Sequence, residues 1–371
     1  MNSPWPIPQP PEFRVDWAAL EAACPWVPSL RGCEQDAIHH AEGDVWIHTR
    51  MVAEAMAAMP AWRALPADER ALVFSAALLH DIAKPSCTRR EDDGRITARG
   101  HSRKGELQAR ALLWELGIAP ADREALCNLI RFHQLPFFLV EREEPARTAI
   151  SVAETTRCDH LALVTEADAR GRICADLEKL LVNIECFREL CADAGVLSGP
   201  RNFANDVSRV EFLRTPGRDA AYAAHDDLAF EVTMLSGLPG AGKDTWVVEN
   251  ANGRPVLSLD GIRRELDIDG GQPQGKVIAA AEERAREHLR AKRPFVFNAT
   301  NLSRELRGQW LNLFHAYRAR VRIVYVECSH VELMRRNRER DARVPDAAIA
   351  RMLERWEVPD CTEAHVVEYR W

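Results

Sequence analysis

No stretch of this 371-residue sequence approaches the roughly 18 consecutive apolar residues that a membrane-spanning helix needs, so no membrane is expected as a partner. The opening MNSPWPIPQPPEF has no charged start followed by an apolar run, and no secretory signal is expected there. Its five prolines within the first eleven residues favour an extended arm, with Trp5 and Phe13 available to dock on the domain behind it. The ten cysteines, scattered from Cys24 to Cys361, include no C-x-x-C pair. That pattern predicts reduced thiols in a cytoplasmic protein and no disulfide frame. Net positive charge is also missing. With 49 Lys and Arg against 56 Asp and Glu, the formal charge is -7, so any contact with nucleic acid must come from local arginine clusters. There is no internal repeat and no low-complexity tract.

What is present is the composition of a soluble globular protein, 46% hydrophobic and 28% charged, in a chain too long for one average domain. The first half reads as helical. HTRMVAEAMAAM, ERALVFSAALLHDIA, SRKGELQARALLWELG and LEKLLVNIECFRELCADAG each carry apolar residues at three-to-four spacing, and Gly117 and Gly195 stand just past helical runs. From about Gly199 to Asp227 that period is lost and turn residues accumulate. Beyond it, AFEVTMLSG, PVLSLD, PFVFNAT and RVRIVYVEC are short apolar runs, each followed by a helical stretch, which implies a parallel sheet covered by helices. The expected architecture is therefore multidomain: an all-α bundle over residues 1–198, an inter-domain segment over 199–228 and an α/β domain over 229–371.

The α/β part holds a phosphate-binding signature. Gly237, Gly240 and Gly242 with Lys243 form G-x-x-x-x-G-K between a strand and a helix, where backbone N–H groups and the helix start can face phosphate oxygens. Lys243 adds a mobile positive charge for the β- and γ-phosphates of ATP or another NTP. Asp244 stands where such loops carry Ser or Thr. Either Asp244 ligates Mg²⁺, directly or through water, or Thr245 supplies the hydroxyl. Asp260 closes the strand of LSLDGIRREL, where a carboxylate can accept the proton of an attacking hydroxyl, and Arg263 one turn on can hold a phosphate of the acceptor. Asn298, Thr300 and Asn301 end the third strand, with Arg304 and Arg307 on the helix that follows. In ELMRRNRERDARVP, Arg336 and Arg340 lie four apart on one face and suit a lid that closes on a triphosphate.

The helical part offers His48, the adjacent His80 and Asp81 with Lys84, then His101, His133, and Asp168 with Arg172. Imidazole and carboxylate together suit Mn²⁺, Fe²⁺, Co²⁺, Ni²⁺ or Zn²⁺ better than Mg²⁺. His39, His40, Glu42 and Asp44 sit nearby in the chain without an assigned role.

These motifs carry two resemblances. GLPGAGKDTW, SLDGIRREL, NATNLSRELR and RRNRERDARVP look like the polynucleotide kinase family over about Phe230 to Trp371. That likeness implies Lys243 as the loop lysine, Asp260 as general base, Arg263 as the acceptor-phosphate arginine, and Arg336 and Arg340 as lid arginines. HAEGDVWIHT, LLHDIAKP, GHSRKG and ADARGR resemble the HD phosphohydrolase superfamily, especially the HD region of tRNA nucleotidyltransferases. By that likeness His48, His80, Asp81 and Asp168 hold a first metal, His101 and His133 a second metal or the scissile phosphate, and Lys84 and Arg172 neutralise phosphate oxygens. Together the two halves resemble the bacterial HD-Pnk end-healing enzymes. The resemblance implies hydrolysis of a 2′,3′-cyclic phosphate or 2′-phosphate and phosphorylation of a 5′-hydroxyl on RNA or DNA ends, ahead of a nucleic-acid ligase. Three other readings stay open: a nucleoside or sugar kinase fused to a nucleotide phosphohydrolase, an ATP-gated RNA-binding module with an inactive HD site, and a cyclic-nucleotide phosphodiesterase. Arg214, Arg218 and Tyr222 of the inter-domain segment are further candidates for substrate contact.

Overall fold

A computed structural model describes residues 1, 3–268, 271–339 and 343–371. The chain forms two compact units, Met1–Arg201 and Asn202–Trp371. The first is a helical bundle and the second is built on a five-stranded parallel sheet. Among the described residues no helix is long and apolar enough to cross a membrane.

In the first unit the helices Val45–Ala58, Ala67–Leu79, His101–Glu115, Pro120–Phe132, Cys158–Arg170 and Leu177–Asp193 surround the core. Asp44 caps the first of them, its carboxylate accepting from the Ile47 amide at 2.9 Å. A Cβ on Gly171 would sit within 3 Å of the Val52 backbone, so only glycine lets the end of the Cys158–Arg170 helix approach the Val45–Ala58 helix this closely. That approach matters for the site, because it brings His48 to the Gly171 carbonyl. Two helices that the sequence periodicity did not pick out, Pro120–Phe132 and Cys158–Arg170, bring His133 and Asp168. A short antiparallel hairpin, β1 (Arg89–Arg90) and β2 (Ile96–Thr97), precedes His101. The N-terminal arm docks as its aromatics suggest. Trp5 is buried edge-on against Trp26 and donates to Ser75 Oγ at 3.0 Å, and Phe13 packs on Trp62.

The second unit contains β3 (Glu231–Ser236), β4 (Val256–Ser258), β5 (Phe295–Asn298), β6 (Arg320–Val326) and β7 (Val366–Arg370), all parallel in the order β4-β5-β3-β6-β7. The four apolar runs of the sequence become β3 to β6, while β7 was not anticipated. Val232, Met234, Phe295, Phe297, Val321 and Ile323 alternate onto one face and pack against Val277, Ala281, Ala285 and Leu289 of the helix Gly275–Arg290 and against Phe314. Burying that face supplies the driving force, roughly 25 cal/mol per Å² of apolar surface removed from water.

Residues 202–228 lie within the second unit. The helix Asp206–Arg214 inside that stretch is capped by Asn205 and tied to the domain by Arg209, which donates to the carbonyls of Ala364 and His365 at 3.2 and 2.8 Å, and by an Asp206–Arg320 ion pair. Arg214 donates to Asn312 Oδ1, while Arg218 lies over the Tyr222 ring and pairs with Glu211, which gives all three side chains structural partners.

Candidate active sites

In the bundle, His48, His80, Asp81, His101, His133 and Asp168 come together from five helices and turns, every one of them buried. Each imidazole has its Nδ1 turned to an acceptor. His80 Nδ1 faces the Ala77 carbonyl at 2.7 Å, His101 that of Ala98 at 2.7 Å, and His133 that of Ile130 at 2.8 Å. His48 Nδ1 faces both Gly171 O at 3.2 Å and Glu42 Oε1 at 2.9 Å. In the neutral form of each ring the proton therefore belongs on Nδ1, leaving the Nε2 lone pair to face inward.

Inside, His48 Nε2 lies 3.2 Å from Asp168 Oδ1 and 3.3 Å from His80 Nε2. His101 Nε2 lies 3.4 Å from His133 Nε2. Asp81 stands between the two groups, with Oδ2 at 3.1 Å from His80 Nε2 and Oδ1 at 3.3 Å from His101 Nε2. Three three-residue sets have ligand spacing: His48 with His80 and Asp168, Asp81 with His101 and His133, both buried, and the less buried His40 with Glu42 and His48. The sequence resemblance groups Asp81 with the first set; the distances make it common to both buried sets. Lone pairs and carboxylate oxygens facing one another at such separations repel unless cations stand among them. Both Asp81 oxygens are buried and neither accepts a hydrogen bond, although Lys84 Nζ forms an ion pair with Oδ2 at 2.7 Å. The donor set thus fits one or two divalent transition metals.

The charges around the cluster are balanced. Burial would raise the carboxyl of Asp81, but His80 and Lys84 hold it well below the usual carboxylate range. Burial would also raise Asp168, but Arg172, His48 and His80 together hold it well below the usual carboxylate range. Burial lowers His80, yet Asp81 and Asp168 leave it above its ordinary value, whereas burial pushes His133 down to about 3 and also lowers His101. Lys84 and Arg172, expected to meet phosphate oxygens, are engaged with the ligand carboxylates, Lys84 also donating to Gln35 Oε1 at 2.6 Å. Both still line a cavity of about 380 Å³ at the site, together with His40, His101, Gln134 and Phe138. Glu42, which had no assigned role, joins His40 to His48, accepting from both. Burial pushes His40 down to about 4 despite that bond.

In the sheet domain the loop after β3 leads into the helix Lys243–Asn250, with Gly237, Gly240 and Gly242 at φ of 147°, 84° and 116°. A Cβ on Gly237 would fall 2.2 Å from the Val326 carbonyl, so the loop closes against β6 only with glycine. Lys243 Nζ donates to the carbonyls of Gly237 and Leu238 at 2.8 and 2.9 Å, curling over its own loop. Asp244 Oδ1 accepts from Asn298 Nδ2 at 2.8 Å, which answers part of the question its position raises: one oxygen is anchored to the end of β5. Asp244 and Thr245 both line a cavity of about 710 Å³ with Gly240, Gly242, Lys243 and Arg336. Arg336 reaches the loop, donating to the Ala241 carbonyl at 3.2 Å while Glu332 holds its Nε at 2.6 Å. Arg340 lies outside the described residues.

Asp260 sits on the helix Leu259–Glu265 directly after β4, exposed and paired with Arg263, whose Nε donates to Gln274 Oε1 at 2.7 Å. Neither lines the loop cavity. Arg307 is fully buried and bidentate to Glu363 at 2.7 and 2.8 Å, and Arg304 pairs with Asp360, so both hold the fold together. Glu327, Cys328, Arg370 and Trp371 also line the loop cavity. Of these, Trp371 carried a legible signal, an aromatic at strand spacing from Tyr369 in VVEYRW.

The constellations define a helical domain with a His/Asp cluster of metal-ligand spacing and a parallel-sheet domain with a phosphate loop. Residues 45–169 match the family model described as the HD domain, and residues 232–359 match one described as an AAA domain. The N-terminal part is an HD domain and the C-terminal part a P-loop kinase-like domain. A solved structure described as a "putative kinase" from Chloroflexus aurantiacus aligns over 38% of this chain and 85% of its own, at 16% identity and a TM-score of 0.33.

Proposed function

We propose that this chain is a nucleic-acid end-healing enzyme, hydrolysing a 2′,3′-cyclic phosphate or 2′-phosphate in the HD domain and transferring the γ-phosphate of ATP to a 5′-hydroxyl in the kinase-like domain. The observation that carries this reading is the presence in one chain of an inward-facing His/Asp cluster beside a cavity that Lys84 and Arg172 line and a glycine-lined phosphate loop covered by Arg336. RNA cleavage commonly leaves a cyclic or 3′-phosphate on one side and a 5′-hydroxyl on the other. Correcting both ends needs these two chemistries, and a ligase acts on the product.

In the HD domain, His48, His80 and Asp168 would hold one ion, and Asp81, His101 and His133 a second. A divalent transition metal bound there supplies Lewis acidity and lowers the pKa of water near neutral pH. The chain itself contributes the Nδ1 bonds that fix each ring, and Lys84 and Arg172, which neutralise phosphate oxygens from the cavity wall. In the kinase-like domain the loop amides and Lys243 seat the triphosphate, and Arg336 stabilises equatorial charge as the phosphoryl group moves. Asp244 or Thr245 would hold Mg²⁺, which supplies further charge neutralisation. Asp260 accepts the proton of the attacking hydroxyl and Arg263 holds the acceptor phosphate.

The test uses γ-labelled ATP and an oligonucleotide bearing a 5′-hydroxyl and a 2′,3′-cyclic end. Wild type is expected to label the 5′ end and open the cyclic end; Asp260→Ala loses only the first activity and Asp81→Ala only the second. Preferential labelling of a nucleoside or sugar over the oligonucleotide would replace this reading with a small-molecule kinase.

A further inference from the structure

The loop cavity has an aromatic end that the phosphate chemistry does not use. Tyr369 and Trp371 stack nearly parallel, with ring centroids 4.9 Å apart and planes 12° apart. Tyr325 meets Trp371 edge-on at 5.6 Å and Tyr369 at 6.4 Å. The group is rooted in the core. Tyr369 Oη donates to the Pro359 carbonyl at 3.0 Å, and Tyr325 Oη takes a hydrogen bond from the fully buried Trp356 at 2.9 Å while donating to Glu327 Oε2 at 2.7 Å. Trp371 is nonetheless 54% exposed and lines the same cavity as Gly240, Lys243 and Thr245.

Holding a large indole in one orientation with one face covered and another open to a polar cavity leaves apolar surface in water, a cost that a stacking ligand offsets. Sheet order says which ligand. The phosphate loop follows the central strand β3, Asp260 follows the edge strand β4, and Trp371 follows the opposite edge strand β7. The aromatic end therefore lies on the flank of the loop away from the acceptor side.

We propose that Trp371, backed by Tyr369, is the platform on which the base of the nucleotide donor stacks. This rests on the reading of the loop as a nucleoside triphosphate site and adds a determinant of donor binding to it. Stacking engages the π-face that every base has, so the platform contributes affinity for the base moiety as a whole.

Equilibrium binding of ATP and of inorganic tripolyphosphate, each with Mg²⁺, to the full chain tests this. Trp371→Ala is expected to weaken ATP about tenfold or more and to leave tripolyphosphate unchanged, and Trp371→Phe is expected to recover most of the ATP affinity. Unchanged ATP affinity in Trp371→Ala overturns the proposal, as does an equal loss for ATP and tripolyphosphate, which would mark Trp371 as a structural support of the loop. If wild type binds neither compound, the triphosphate reading of the site is what fails.

Discussion

Arg172 grips Asp168 through two nitrogens, Nε to Oδ1 at 2.9 Å and a terminal nitrogen to Oδ2 at 2.6 Å, while Asp168 Oδ1 also faces His48. The fork fixes the carboxylate plane that a metal would meet. Arg172→Lys keeps the charge but not the fork, and is expected to lower metal affinity about 10- to 100-fold, with Arg172→Ala at least as severe. Competition with a chromogenic chelator reads this directly, and 5′ labelling by the kinase-like domain should be untouched.

Gly237→Ala puts a methyl group where the Val326 carbonyl stands, at a backbone angle that L side chains rarely adopt. The loop must then open. ATP and tripolyphosphate binding should both be lost while the helical signal in circular dichroism and the HD activity persist.

Arg307→Met removes one half of a buried ion pair and strands the Glu363 carboxylate together with the carbonyls of Asn301 and Glu357. Breaking such a pair costs about 3–5 kcal/mol. The urea midpoint of the second unit should fall accordingly, and a double change of Arg307→Met with Glu363→Leu should recover much of it.

His365 Nδ1 accepts the Val321 amide at 3.0 Å, which requires that nitrogen to be unprotonated. Burial pushes its pKa down to about 4, and that of the neighbouring His315 to about 3. The unfolded chain binds these protons first, near the ordinary value of about 6.5. Stability is therefore complete above that pH and falls as pH drops toward 4, by up to about 1.4 kcal/mol per pH unit for each histidine. Hydrogen exchange of the β6 amides at pH 7.5 and 5 should show the loss, and His365→Gln should flatten the dependence.

Much of both sites could be read from residue spacing because phosphate loops and metal clusters demand particular residue types close together in sequence. Gly237 to Lys243 and the His80-Asp81 pair are of that kind. Asp81's position between two ligand sets could not be read, because it depends on how the Pro120–Phe132 and Cys158–Arg170 helices deliver His133 and Asp168. Arg307 was equally illegible. Its place after a strand end says nothing of its role, because its partner Glu363 is 56 positions away and both are buried. The strand β7 escaped notice because it is an edge strand whose residues are only partly buried or exposed, so Glu368 and Arg370 break the apolar run that marked the other strands.

A carboxylate is a rigid planar triangle, so whatever orients one oxygen of Asp81 orients the other. The His80 side and the His101 side are thereby mechanically geared through a single residue. No replacement at 81 empties one half of the cluster and spares its twin: even asparagine keeps one oxygen only by swinging an amide hydrogen toward an imidazole on the other side.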